Sequence, residues 1–157
     1  MEIRKASFQD MEEIMKIYEN ARKFMQENGN ANQWGEDYPD RELIEQGLDR
    51  TYLCMEQGKT ACVFYYAVEE DEDYRQINGT WLNENPYAVV HRVASTGIVK
   101  GAAAFCLNWA YEQTPNIRMD TYRDNIPMQK LLTKCGFQYC GSFERLGMTD
   151  WMAYQKV

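Results

Sequence analysis

The stretch Val89 to Tyr111 holds residues whose types and spacing could do chemistry. A strand ending Arg92-Val93-Ala94-Ser95, a loop Thr96-Gly97-Ile98-Val99-Lys100-Gly101 and a helix opening Ala102-Ala103 bring successive backbone N–H groups to a helix N-terminus. Unpaired amides there, together with the positive end of the helix dipole, bind a phosphate or pyrophosphate. Gly101, Ala102 and Ala103 are small enough to let such a group reach the backbone, although Gly followed by Ala also opens helices with a purely structural role. The loop lacks the Gly-Lys-Ser/Thr of a P-loop and the Gly-x-Gly-x-x-Gly of a dinucleotide fingerprint. His91, the only histidine, stands on the same strand three residues before Ala94. An imidazole suits the work of a general base near neutral pH; the alternative is a hydrogen-bonded histidine within an apolar strand.

Hydrophobic periodicity supplies the elements that must position these groups. Glu2 to Ala6 reads as a first strand. Met11, Ile14, Ile17, Tyr18, Ala21 and Met25 recur at helical period up to Asn28-Gly29, behind an Asp10/Glu13 pair with capping-box spacing. Asp40 caps a second helix from Arg41 to about Leu48, and the connection at 28–39 is a candidate binding loop. Alternation at Tyr52 and Cys54, and again at Ala61, Val63, Tyr65 and Ala67, predicts a hairpin turning at Gln57-Gly58. The acidic run Glu69 to Asp73 opens a polar connection to Pro86 and is read as a solvated loop rather than a metal site. Tyr87 to Ala94 is a buried strand, Gly101 to Tyr111 a helix, and Asn116 to Thr121 a strand. Asn125 then precedes a helix with Pro127 in its first turn and Gly136 at its close. Strands near Phe137 to Phe143 and Trp151 to Gln155 finish a β-α-α-β-β-β-α-β-α-β-β order, which is a mixed α/β sheet with crossover helices.

The 157 residues, 45% of them hydrophobic, suit one domain, 1–157, with a core of its own. The apolar runs Ala61 to Val68 and Ala102 to Leu107 fall short of the roughly 18 residues that cross a bilayer. The N-terminus lacks the basic flank and apolar stretch of a secretory signal, and five cysteines form no paired framework, so a cytoplasmic protein with reduced thiols is expected. The net charge of −7 argues against nucleic-acid binding. It divides unevenly: residues 1–90 carry 9 Lys/Arg against 19 Asp/Glu, a balance of −10, and residues 91–157 carry 8 against 5, a balance of +3. The positive half holds the phosphate-binding loop, and the acidity of the other half hints at a cationic partner.

The strand Asn-Ile-Arg-Met-Asp-Thr at 116–121, then Asn125, then a helix ending Leu-Leu-Thr-Lys-Cys-Gly-Phe at 131–137, all behind the glycine loop, resembles the GNAT superfamily of N-acetyltransferases. In that family the loop after the fourth strand follows Gln/Arg-x-x-Gly-x-Gly/Ala and holds the pyrophosphate of acetyl-CoA; Ile98-Val99-Lys100-Gly101-Ala102-Ala103 occupies it here. The family's later Asn and Lys-x-Gly-Phe match Asn125 and Lys134-Cys135-Gly136-Phe137, and the resemblance spans essentially the whole chain. It implies a mostly antiparallel central sheet with a splayed fourth/fifth strand pair and flanking helices. It also implies acetyl-CoA as cosubstrate, no metal, and direct acetyl transfer to a primary amine in a ternary complex. Backbone groups near Val93 and Ala94 would bond the pantetheine arm and Asn125 would hydrogen-bond the pantetheine or acyl end. Lys100 or Lys134 would lie near the CoA phosphates or simply be solvated.

Two positions depart from the family pattern. Ile98 stands where Gln or Arg is usual, in a loop about one residue short, and Leu132 stands seven residues after Asn125 where many members carry a tyrosine that protonates the leaving thiolate. His91 is then the candidate base and Tyr139, with Tyr122 behind it, the candidate acid. Cys135 and Cys140 read as inert buried thiols. The acceptor site, built from the first two helices and the connection before Tyr87, would draw on Phe24, Trp34, Tyr38 and Trp81, which wall an apolar pocket, stack on a cationic amine, or are scattered surface aromatics. The expected partner is a small-molecule or peptide amine, with no nucleic acid or membrane and with homodimerisation left open. A non-catalytic acyl-CoA-binding or regulatory module is the rival reading, and a domain using the 97–103 loop for another diphosphate is a third.

Overall fold

Alternate residues of the hairpin decide which helices cover which side of the sheet. In the computed structural model, which describes all 157 residues, β2 (Thr51–Glu56) and β3 (Lys59–Val68) turn at Gln57-Gly58, both with positive φ, as a two-residue hairpin requires. Leu53 and Val63 pack on one face against Ile14, Tyr18 and Ile44 of the helices α1 (Met11–Glu27) and α3 (Arg41–Gln46). Cys54, Cys62 and Phe64 face the other side, against Cys106, Leu107 and Ala110 of α4 (Ala102–Gln113) and Leu132 of α5 (Ile126–Lys134). The sheet is therefore a central layer between two helical layers.

Eight strands make up that sheet, in the order β1-β2-β3-β5-β6-β8-β7-β4, with β1 at Glu2–Lys5, β4 at Asn78–Gly79, β5 at Ala88–Ser95, β6 at Ile117–Tyr122, β7 at Gln138–Arg145 and β8 at Met148–Lys156. Only β5 and β6 run parallel; every other pair is antiparallel. The parallel pair is joined through α4, as a parallel crossover must be. It is bonded only at Ala88 opposite Ile117 and Val89 opposite Arg118, after which the strands diverge. The expected splay is thus present.

A bulge adds to the divergence. Between the pairs Tyr65–His91 and Val63–Ala94, β5 carries one residue more than β3, and Arg92 takes up the excess with φ +52°. A bulge bends its strand and re-aims the side chains beside it. The buried hydroxyl of Tyr18 donates to the Arg92 carbonyl at 2.8 Å and ties α1 to that bend.

Some local expectations change. Asp10 does not cap α1: its carboxylate bonds the Ser7 amide at 2.8 Å and Arg4 at 2.9 Å, one turn earlier, and Glu13 instead accepts from the Thr60 hydroxyl at 2.6 Å. The second helix stops at Gln46, with a separate turn at Leu48–Arg50. The 28–39 connection contains a short helix, α2 (Ala31–Trp34), and the polar connection before Pro86 contains β4. Gly79 and Gly141 face each other in the β4–β7 pair so closely that a Cβ on either would overlap the opposite backbone.

Candidate active site

The divergence of β5 from β6 opens a cleft of about 590 Å³. Val90, His91, Arg92 and Val93 form one wall and Met119, Asp120 and Thr121 the other. Neighbours on a regular strand point to opposite faces; the bulge is what lets His91 and Arg92 both reach the cleft. Gln33, Trp34 and Tyr38 close one side, Gly47 and Arg50 another, and Asn125 and Met128 bring the start of α5 to the rim.

At the C-terminal end of β5 lies the glycine loop. Thr96 donates its amide to the Ala61 carbonyl at 2.9 Å, and the next amide with a backbone partner is that of Phe105, on Gly101 at 2.9 Å. The amides between them make no backbone hydrogen bond. Gly97 and Gly101 both have positive φ, +85° and +83°, and Gly101, at the N-cap of α4, has no side chain to satisfy the first turn. A row of free N–H groups at the N-terminus of a 12-residue helix is an anion cradle. Ile98 is half exposed and leaves this backbone open.

Asn125 caps α5 by accepting from the Met128 amide at 3.1 Å and donates to Gln33 Oε1 at 2.9 Å. It lines the cleft with both ends of its amide already engaged, so it fixes the rim and holds Gln33 in the wall. Leu132, where the family tyrosine would stand, is wholly buried in the core.

His91 Nε2 lies 3.1 Å from Asp71 Oδ2, each side chain about one-fifth exposed. Asp71 also accepts from the Asp73 amide at 2.9 Å, and its own amide donates to the Tyr87 hydroxyl oxygen at 3.0 Å. Burial pushes the Asp71 carboxyl up, and the hydrogen bond and charge of His91, with the Asp73 amide, more than reverse this and bring it below its usual value. Nε2 is thus the ring nitrogen engaged by the carboxylate, and Nδ1 is the other one. A histidine oriented by a carboxylate in this way is chemically able to act as a general base.

The acidic run therefore needs correcting. Glu69, Asp71 and Asp73 line the cleft while Glu70 and Glu72 do not. Glu69 accepts from the Tyr65 hydroxyl at 2.9 Å and from Arg50 at 3.1 Å. Arg145 spans Asp73 and Asp120 at 2.9 Å each and lies over the Trp151 ring at 4.6 Å. Burial works to lower the Arg145 guanidinium, but the charge and hydrogen bonds of Asp120 outweigh it and hold the group above its ordinary value. Tyr74, fully buried, donates to Asp120 at 2.5 Å, and burial with that carboxylate keeps its hydroxyl firmly protonated.

Of the acceptor aromatics expected from the sequence, Trp34 and Tyr38 line the cleft, packed edge-on 5.9 Å apart. Trp81 does not: it is buried, its indole N–H donates to the Tyr74 carbonyl at 2.8 Å, and the Arg118 guanidinium covers it at 4.1 Å. Phe24 is exposed on α1, away from the cleft. Tyr139 is likewise outside, exposed on β7 and packed 5.7 Å from Tyr154, so it stands apart from His91. Tyr65, Arg145, Asp120 and Gln33 were not singled out as site residues by sequence reasoning, and the uninterrupted acids at 69–73 carry no signal for which of them face the cleft. No group of three or more His, Cys, Asp or Glu is arranged to hold a metal ion, and no helix is long and apolar enough to cross a membrane.

No family model and no curated protein match the chain. Solved structures do. An acetyltransferase of the GNAT family from Streptococcus agalactiae is 31% identical, with a TM-score of 0.90 over 99% of this chain and 94% of that one. A Staphylococcus aureus protein assigned to the acetyltransferases is 25% identical, with a TM-score of 0.75 over 99% and 98% of the two chains. A Salmonella typhimurium relative in fold, 15% identical with a TM-score of 0.65 over 98% and 91%, was solved with its cofactor acetyl-CoA. The splayed parallel pair, the uncapped glycine loop and an identity of 31% over nearly the full length agree: this chain belongs to the GNAT family of acetyltransferases.

Proposed function

We propose that the protein transfers an acetyl group from acetyl-CoA to a primary amine held in the cleft, with His91 as the base. The observation that carries this is the pairing of two features along one bulged strand: the unpartnered amides between Thr96 and Phe105 past its C-terminal end, and the His91–Asp71 pair at its middle. The amides from Gly97 to Ala103 suit a pyrophosphate, and the gap beyond Val89 suits an extended pantetheine arm along Val93 and Ala94. Acetyl-CoA supplies an activated thioester, whose acyl carbon gains the amine nitrogen as its bond to sulfur breaks. Nδ1 of His91 takes the proton that the amine loses, and Asp71 steadies the imidazolium. Trp34 and Tyr38 cover the cleft from the α2 side and limit water. With Leu132 in the core and Tyr139 outside the cleft, neither of those positions supplies the acid, and the His91 imidazolium returns its proton to the departing thiolate.

Thermal unfolding with acetyl-CoA tests binding. Saturation at about 100 times Kd adds about 2.7 kcal/mol, or roughly 5–11 °C in Tm for a domain of this size. Release of free CoA across a panel of amines tests turnover, and His91→Gln lowers kcat/KM by about 10²–10⁴-fold if His91 is the base. Absence of any thermal shift refutes the cosubstrate, and undiminished turnover in the variant refutes the base.

A further inference from the structure

The cleft contains three arginines, and two of them are matched. Arg50 is 3.1 Å from Glu69 and 3.3 Å from Asp49, and Arg145 bridges Asp73 and Asp120. Arg92 has no carboxylate within ion-pair distance. Its one hydrogen bond is a long one, 3.4 Å to the Tyr38 hydroxyl, and its Nε is buried without any partner. The guanidinium is held 4.7 Å over the face of Tyr65, in a residue whose φ of +52° is itself unusual for a side chain of this size. A buried, unpaired guanidinium donor is costly unless something supplies an acceptor.

The opposite charge is in excess one ring away. Asp71, Asp73 and Asp120 share only Arg145 and His91, so carboxylates outnumber their partners at that end of the cleft. Tyr65 lies beside both groups: the His91 ring is 6.0 Å from its centroid and the Arg92 guanidinium 4.7 Å. The cleft thus presents, around a single tyrosine, both a base with surplus carboxylate and an unmatched guanidinium. A simple cationic amine satisfies only the first.

Resting on the proposed transferase activity, we infer that the acceptor is an amino acid, whose amine meets His91 and whose carboxylate pairs with Arg92. The planar fork of an arginine matches a carboxylate with two N–H donors and discriminates strongly against a neutral amide in its place.

Release of CoA is measured with the common L-amino acids, their amides and the corresponding decarboxylated amines. Amino acids are preferred over their amides by about 10–100-fold in kcat/KM, chiefly through KM, and Arg92→Gln collapses that preference to within about threefold while Arg92→Lys keeps part of it. The preference in the unaltered protein is read without any variant, so a misfolded Arg92→Gln does not spare the proposal. Thermal shifts by the same amino acids and amides report binding without chemistry. If amides or decarboxylated amines are the better acceptors, carboxylate recognition is overturned while the transferase reading stands. If amino acids alone shift the melting temperature but no amine releases CoA, the transferase reading fails and recognition by Arg92 stands. If amino acids neither bind nor react, the inference fails outright.

Discussion

Replacing Arg145 with methionine should cost the fold about 3–5 kcal/mol, the usual result of removing one partner from a buried ion pair. The magnitude follows from what is left behind. Asp120 has only 5% of its side chain exposed and receives two nitrogens of Arg145, at 2.9 and 3.2 Å, whereas Asp73 is 42% exposed and can return to water. The penalty therefore belongs almost wholly to Asp120, with Tyr74 left as its sole donor. Methionine keeps much of the packing on Trp151 and Phe143, so the loss is electrostatic rather than steric. For a domain of this size the melting temperature falls by roughly 6–20 °C. Adding Asp120→Asn removes the stranded charge and recovers more than half of the loss, which a double-mutant cycle in urea resolves. The same clamp links β6 and β7 to the segment carrying Asp71, so turnover suffers in the single variant beyond its loss of folded protein. A cost below about 1 kcal/mol, or no recovery in the double variant, would show that solvent reaches Asp120 and would refute the reasoning.

Three further outcomes are expected. Tyr18→Phe strands the Arg92 carbonyl, which now accepts the Tyr18 hydroxyl at 2.8 Å, and costs about 1–3 kcal/mol by urea unfolding; an unchanged midpoint would mean that the bulge is held by other contacts. Asn125→Ala removes the cap of α5 at about 1 kcal/mol and frees Gln33, whereas Asn125→Asp keeps the cap and loses only the bond to Gln33, so equal melting temperatures for the two variants would contradict the capping role. The hydrogen bond from Arg4, against some opposition from partial burial, lowers the Asp10 carboxyl from 3.8 to about 2. Because the folded value is depressed, the stabilisation is present above the unfolded value and lost as pH falls through the folded one. The stability difference between the protein and Asp10→Asn therefore shrinks as pH drops from 5 toward about 2, and a difference independent of pH would exclude the pairing.

Periodicity found nearly every element, because each regular strand or helix buries residues at its own period: Leu53 and Val63 on one face, Cys54 and Phe64 on the other, Ile14 and Tyr18 along α1. The exceptions are elements too short to have a period. Helix α2 spans four residues and β4 two, and both exist through tertiary contacts. The Asp10/Glu13 spacing misled for a related reason: Arg4 and Ser7 compete successfully for Asp10, and Thr60, 47 positions away, captures Glu13. Local spacing offers a hydrogen bond, and the folded environment decides which partner takes it.

The phosphate loop was legible because its chemistry lies in contiguous backbone. The acceptor side was not, because its chemistry depends on a bulge. Without the extra residue in β5, His91 and Arg92 would face opposite sides of the sheet and only one would meet the cleft. No composition signal marks the bulge; it arises where the positive φ of Arg92 and the buried bond from Tyr18 coincide. The same event reverses what the charge sum suggested. Glu69, Asp71 and Asp73 do reach the cleft, but Arg50 and Arg145 answer two of them, while Arg92, from the basic half, remains unanswered. The acidity of residues 1–90 therefore says less about the acceptor than one arginine does: what a ligand feels is the charge left over after pairing, and here that remainder is a dipole with its negative end at His91.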